Sequence, residues 1–250
     1  MPIDWPYPFW IAHRGAGKRA PENTLAAVRE GAAQGFRMFE CDVKLSADDV
    51  PFLLHDSALE RTTSGVGTAG DHPWAALSQL DAGSWHGAAH AGEPLPTLSA
   101  IARFAIANDL AVNLEIKPTP GLAAHTGELV ARAAAQLWTG SSTPPLLSSF
   151  EVTALESAAA AAPTLPRALL LDELRAGWFE TAQRLACRAV VTHYPLMNAR
   201  RVRELHHAGL RALVFTVNER ADLAAMQAAG VDGVITDEVL RYAAEARAAT

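Results

Sequence analysis

The 250-residue chain is half hydrophobic, long enough for one large α/β domain or two small ones, and of the length typical of a (β/α)8 barrel. Its formal net charge of −6, with no long block of like charges, argues against a nucleic-acid or acidic-membrane binder, so an anionic ligand must be met by a local cluster. Two cysteines, Cys41 and Cys187, make no disulfide framework, and no apolar run approaches the roughly 18 residues a membrane span requires.

The opening "MPIDWPYPFWIAHRG" carries an Asp and three prolines where a secretory leader would have basic residues and an unbroken apolar run. A cytoplasmic protein with no membrane anchor is therefore expected. Short apolar or β-branched runs then recur at 9–13, 36–43, 50–55, 111–117, 145–150, 167–171, 188–194, 211–217 and 230–236, with Ala-rich helical stretches between most of them. The second and third runs are only about six residues apart, around "SADD", and read as a hairpin. The expectation is eight parallel strands with one antiparallel extension, and a hairpin turn near residue 47 that sets Glu40 opposite His55.

Asn23 or Thr24 can cap a helix over 25–34 that Gly35 stops, and "NERADLAAMQAAG" repeats that cap-to-glycine layout. Residues 56–96 are rich in Gly, Pro, Trp and turn formers and exceed an ordinary connection. They read as a small insertion over the barrel mouth, with a short helix near 73–80, inside a single domain spanning 1–250.

Ionisable residues gather where strands end: His13, Glu40 with Asp42, His55, and Glu115 with Lys117. Strand C-termini of a barrel converge on one face, and a spacing of two puts Glu40 and Asp42, or Glu115 and Lys117, on the same side of their strands. Any one of the carboxylates reads equally as half of an ion pair. Three facing one point would repel unless a cation neutralised them, and all-oxygen donors favour Mg²⁺ or Ca²⁺ over structural zinc. A single strand-end histidine is commonly structural, but a pair beside such a cluster suits general acid and base work. Arg14 and Lys117 add cations fit for phosphate oxygens. Gly15 and Gly17 permit close backbone approach and read equally as ordinary turn residues.

The blocks "HRG" with "PENT", "ECDV", "HD", "LERTT", "GEPLPTL", "LEIK", "SSF", "FTVN" and "GVDGVITD" occur in order from about residue 9 to 240. Together they resemble the glycerophosphodiester phosphodiesterase family, most of all its short cytoplasmic bacterial members. The resemblance implies a TIM barrel of the phospholipase-C-like phosphodiesterase type. It implies metal-dependent hydrolysis of glycerophosphodiesters such as glycerophosphocholine or glycerophosphoethanolamine to sn-glycerol 3-phosphate and an alcohol. By motif, His13 and His55 match the acid/base pair, Glu40, Asp42 and Glu115 the metal ligands, and Arg14 and Lys117 the phosphate contacts. Asn23 also falls on a motif position, where helix capping explains it equally well. The implied nucleophile is the substrate's own 2-hydroxyl, by way of a cyclic glycerol phosphate that water then opens. Phe215 stands where the family usually has Trp against the glycerol end, and Asp48-Asp49 replaces its usual Asp-Gly turn. The rival readings are a lysophospholipase D type of phosphodiesterase and a non-catalytic glycerophosphodiester-binding barrel.

Overall fold

A computed structural model describes residues 5–249; the first residues of the stretch read above for a leader, 1–4, lie outside the described residues. The strands are β1 (Trp10–Ala12), β2 (Met38–Leu45), β3 (Pro51–Leu53), β4 (Ala111–Ile116), β5 (Leu146–Ser149), β6 (Arg167–Leu171), β7 (Ala189–His193), β8 (Arg211–Phe215) and β9 (Gly233–Thr236). β1 pairs in parallel with both β2 and β9, which closes β1, β2 and β4 to β9 into an eight-stranded parallel barrel. β3 pairs antiparallel with β2 outside that ring. The expected count of eight plus one therefore holds. The helices that return the chain between strands include α1 (Leu25–Ala33), α2 (Trp74–Leu77), α3 (Leu98–Ala107), α4 (Ala123–Leu137) and α5 (Val152–Ala161).

Alternation along each strand sorts residues into two layers. Phe39, Cys41, Val43 and Leu45 of β2, with Val112, Leu114 and Ile116 of β4, join the core between barrel and helices. Met38, Ala111, Leu146, Leu170 and Ile235 fill the barrel interior. Glu40 and Asp42 share the face of Met38, and Glu115 and Lys117 share that of Ala111, so the same alternation that buries the core points these polar groups inward.

One local expectation is corrected and one alternative is resolved. The hairpin register pairs Val43 with Leu53 and Leu45 with Pro51, one residue away from a Glu40–His55 pairing. The turn is centred on Asp48, and Asp49 takes the left-handed conformation (φ 65°) that glycine usually supplies. At the start of α1, Thr24 is the cap, its hydroxyl accepting from Ala27 N at 3.2 Å, while Asn23 is turned elsewhere.

The 56–96 segment is ordered around a small core of its own, with Leu59, Ala69, Leu77, Ala82 and Leu95 packed on Phe52 and Leu54 of the hairpin. Its helix is shorter than read, α2 alone. Asp81 accepts four hydrogen bonds from Gly83, Ser84 and Gly92, which fixes the loop between two isolated bridges. Among the described residues no helix is long and apolar enough to cross a membrane.

Candidate active site

β1 ends one residue before His13, and the residue after β9, Asp237, accepts at His13 Nδ1 at 2.6 Å. Asp237 is itself held by Asn218 after β8: Asn218 Nδ2 donates to its carboxylate at 2.9 Å, and the Asp237 N–H donates to Asn218 Oδ1 at 2.9 Å. Across the site His55 is bound in the same manner, Nδ1 to Asp56 Oδ1 at 2.6 Å. Each carboxylate fixes the Nδ1–H tautomer, which leaves Nε2 as the nitrogen without that proton in a ring that lines the common cavity. Burial opposes a charge on His13, but Asp237 and then Glu40 carry its pKa above the ordinary imidazole value. For His55 burial prevails, reinforced by Arg14 and Lys117, and its pKa falls. Asp237 is driven down to about 2 against its own burial by the His13 hydrogen bond.

Glu40, Asp42 and Glu115 are buried and each offers a carboxylate oxygen within 4.8 Å of the others. Burial and the neighbouring Asp42 push Glu40 up to about 8 and Glu115 up to about 7. Asp42 stays below the ordinary value despite burial, because Lys117, His55, Arg14 and the Asn23 amide surround it. Asn23, at φ 58°, donates to Asp42 Oδ2 at 2.7 Å and accepts from Asp42 N at 2.9 Å, so it clamps this carboxylate rather than the helix. Glu40 Oε1 and Asp42 Oδ1 are buried with no hydrogen-bond partner among the described residues. Orphaned carboxylate oxygens in an all-oxygen cluster fit a hard divalent cation, and these three residues could hold one.

The two cations stand at the edge of the triad. Lys117 Nζ lies 2.6 Å from Glu115 Oε1 and 3.5 Å from Asp42 Oδ1, and 5.5 Å over the Phe150 ring. Arg14, with φ 50°, donates its backbone N–H to Glu40 at 3.1 Å and Nη1 to Glu22 at 2.8 Å. From Glu22 an ionic chain continues through Arg61, at 2.7 and 2.8 Å, to Asp56 at 2.5 Å and so to His55. The inserted segment thus supplies Arg61, which ties the two sides of the site together.

His13, Arg14, Glu40, His55, Glu115 and Lys117 share a cavity of about 220 Å³ with Phe150 and Phe215, whose rings meet edge to face at 5.8 Å. Asp42 lies beneath them, and every residue singled out from the sequence is therefore at this one place. Gly15 and Gly17 have a packing role: a Cβ on Gly17 would stand 2.1 Å from the Asp237 carbonyl oxygen, and one on Gly15 2.7 Å from Ala27 Cβ. The sequence reading missed Asp237, Asn218, Asp56, Glu22 and Arg61 as site residues. All five sit in the quoted blocks "GVITD", "FTVN", "HD", "PENT" and "LERTT"; the usable signal was that each histidine needs a carboxylate to set its tautomer.

A (β/α)8 barrel that holds two imidazoles and two cations around a carboxylate triad at the C-terminal ends of its strands defines a barrel hydrolase of phosphodiesters. Comparison with known proteins narrows the class. The glycerophosphoryl diester phosphodiesterase family matches residues 13–241, and the chain belongs to that family of phosphoric diester hydrolases. It is 32% identical over 230 residues to a glycerophosphodiester phosphodiesterase of Caldanaerobacter subterraneus, covering 91% of this chain and 93% of that one. It is 28% identical over 247 residues to a glycerophosphodiester phosphodiesterase of Bacillus subtilis, covering 91% and 82%. Among solved structures it resembles an Oleispira antarctica phosphodiesterase in complex with its product sn-glycerol 3-phosphate, at a TM-score of 0.87 and 34% identity over 96% of this chain and 97% of that one.

Proposed function

We propose that this enzyme hydrolyses small, water-soluble glycerophosphodiesters, such as glycerophosphocholine and glycerophosphoethanolamine, to sn-glycerol 3-phosphate and an alcohol. Glu40, Asp42 and Glu115 would hold Mg²⁺ or Ca²⁺, His13 and His55 would be the acid/base pair, and Arg14 and Lys117 would bind the phosphate. The observation that carries this reading is the pair of carboxylate-held imidazoles lining one cavity beside a triad with unsatisfied buried oxygens. The product bound by the Oleispira antarctica relative is the product proposed here.

A divalent cation held by Glu40, Asp42 and Glu115 would supply positive charge beside the phosphate. The chain's own groups do the rest. Arg14 and Lys117 hold the phosphate over the triad and offset the charge that grows on it in the transition state. Phe215 sets the glycerol against an aromatic face. One imidazole Nε2 takes the proton of the glycerol 2-hydroxyl as its oxygen bonds to phosphorus, and the other gives a proton to the departing alcohol oxygen. Water then opens the cyclic phosphate with the two roles exchanged. Holding the attacking hydroxyl within the substrate makes the step unimolecular, a large rate advantage when aligned. The free, buried thiols Cys41 and Cys187 accord with a cytoplasmic location.

The test is His13→Ala and His55→Ala. Each is expected to lower kcat by about 10²-fold or more while calorimetric titration shows divalent-cation binding retained. Near-normal turnover by both variants would overturn the acid/base assignment.

A further inference from the structure

Beside the first cavity lies a second of about 310 Å³, and the two share a wall of His55, Glu115, Lys117 and Phe150. That shared wall is where the phosphate sits in the reading above, and a phosphodiester carries two arms from one phosphorus. The first cavity is floored by Leu170 and Ile235 of the barrel interior, a closed end suited to three-carbon glycerol. The second runs outward past Pro118 to Ser57 and Glu151 at the exposed rim, so the variable arm belongs there.

The chemistry of this second cavity is polar. Lys44 lines it from the same face of β2 as Asp42, is 1% exposed, and donates from Nζ to the Lys117 carbonyl at 3.1 Å. An ammonium has three donors, and this bond uses one. The Ser57 hydroxyl and the Glu151 carboxylate make no side-chain hydrogen bond among the described residues, which leaves both able to accept. Beside the His55 imidazole, the one aromatic ring among the described lining residues is Phe150, already overlaid by Lys117, so they form no aromatic cage for a quaternary ammonium.

Resting on the glycerophosphodiester reading, we propose that the cavity walled by Lys44, Ser57 and Glu151 receives the departing alcohol and selects a polyol arm over a quaternary ammonium arm. Lys44 donates to one hydroxyl of the polyol, while Glu151 and Ser57 accept from others. A trimethylammonium group has no N–H or O–H to give those acceptors and no lone pair to accept from Lys44.

Steady-state kinetics of the metal-loaded enzyme on glycerophosphoinositol and glycerophosphocholine, reading glycerol 3-phosphate from both, test this. The inositol diester is expected to be favoured in kcat/KM by about tenfold or more, and Lys44→Gln to bring the ratio within about threefold of unity. An equal or choline-favouring wild-type ratio overturns the proposal, as does a folded K44Q enzyme that keeps the wild-type ratio. Should K44Q not fold, product inhibition of the wild type decides: stronger inhibition by free inositol than by free choline supports the subsite, and the reverse overturns it. Release from neither diester by folded, metal-loaded protein would instead remove the glycerophosphodiester reading, and the subsite with it.

Discussion

Asp237 and Asp56 do the same work for two different rings. Each accepts from Nδ1 at 2.6 Å, and each is itself held, Asp237 by Asn218 and Asp56 by Arg61. Asp237 also raises the pKa of His13, so Asp237→Asn should move the limb of the pH–kcat profile that reports His13 to lower pH and lower kcat at least about tenfold. An unmoved profile would show that Asp237 has only a structural role. The triad gives a second prediction. Glu40 and Glu115, raised to about 8 and about 7, bind protons in the folded protein that the unfolded chain has lost above its ordinary carboxylate pKa near 4.5. Their contribution to stability is therefore complete below about pH 4.5 and is lost as pH rises through 7 to 8. Chelated protein should melt at a lower temperature at pH 8 than at pH 5, and saturating Mg²⁺ or Ca²⁺ should remove most of that difference. Glu40→Gln should flatten the pH dependence of the chelated form. Parallel melting curves with and without cation would contradict a cation site at the triad.

At the scale of elements, strand periodicity was the readable part. In "MFECDV" the apolar residues alternate with Glu40 and Asp42, so both the existence of β2 and the common inward face of these two charges followed from the pattern, while the continuation of the strand through Lys44 did not. The hairpin register did not follow, because "KLSADDVP" permits turns of different length and a one-residue slip changes every cross-strand partner. His55 in fact lies beyond the paired part of β3, whose last pairing is Leu53 with Val43, and it reaches the cavity from the bend that follows. Position alone also could not separate Asn23 from Thr24 as cap, since only the fold brings Asp42 to Asn23. The turn between β1 and α1 depends on Gly17, which lies against the Asp237 backbone at φ 54°. Gly17→Ala should cost about 2 kcal/mol or more and depress kcat by displacing the partner of His13. Gly140→Ala, also at positive φ (81°) but with open space around it, should cost about 1 kcal/mol and leave kcat unchanged. Chemical denaturation with kcat measured on the same samples separates the two, and equal effects would count against the clash.

For the whole molecule, the barrel was predictable because each strand carries its own signal and closure is the usual way for eight parallel strands with intervening helices to bury both faces. What stayed hidden were contacts made only on closure. His13 meets Asp237 across 224 positions of sequence, and Arg61 of the inserted segment meets Glu22 across 39. Local pattern holds no record of such pairs, so the chain displayed the strand-end groups of the cavity and concealed the groups that hold them. The 56–96 segment stands out by composition, yet its contribution of Arg61 and its private core appear only in three dimensions. In the function proposed above, this barrel cleaves glycerophosphodiesters with the help of a cation at Glu40, Asp42 and Glu115. Its most direct test is release of sn-glycerol 3-phosphate from a glycerophosphodiester by the purified protein, measured after chelation and again after Mg²⁺ or Ca²⁺ is restored. Chelation should abolish release and the cation restore it. Undiminished release in excess chelator would contradict the role of the triad, and no release by folded, cation-loaded protein would contradict the activity itself.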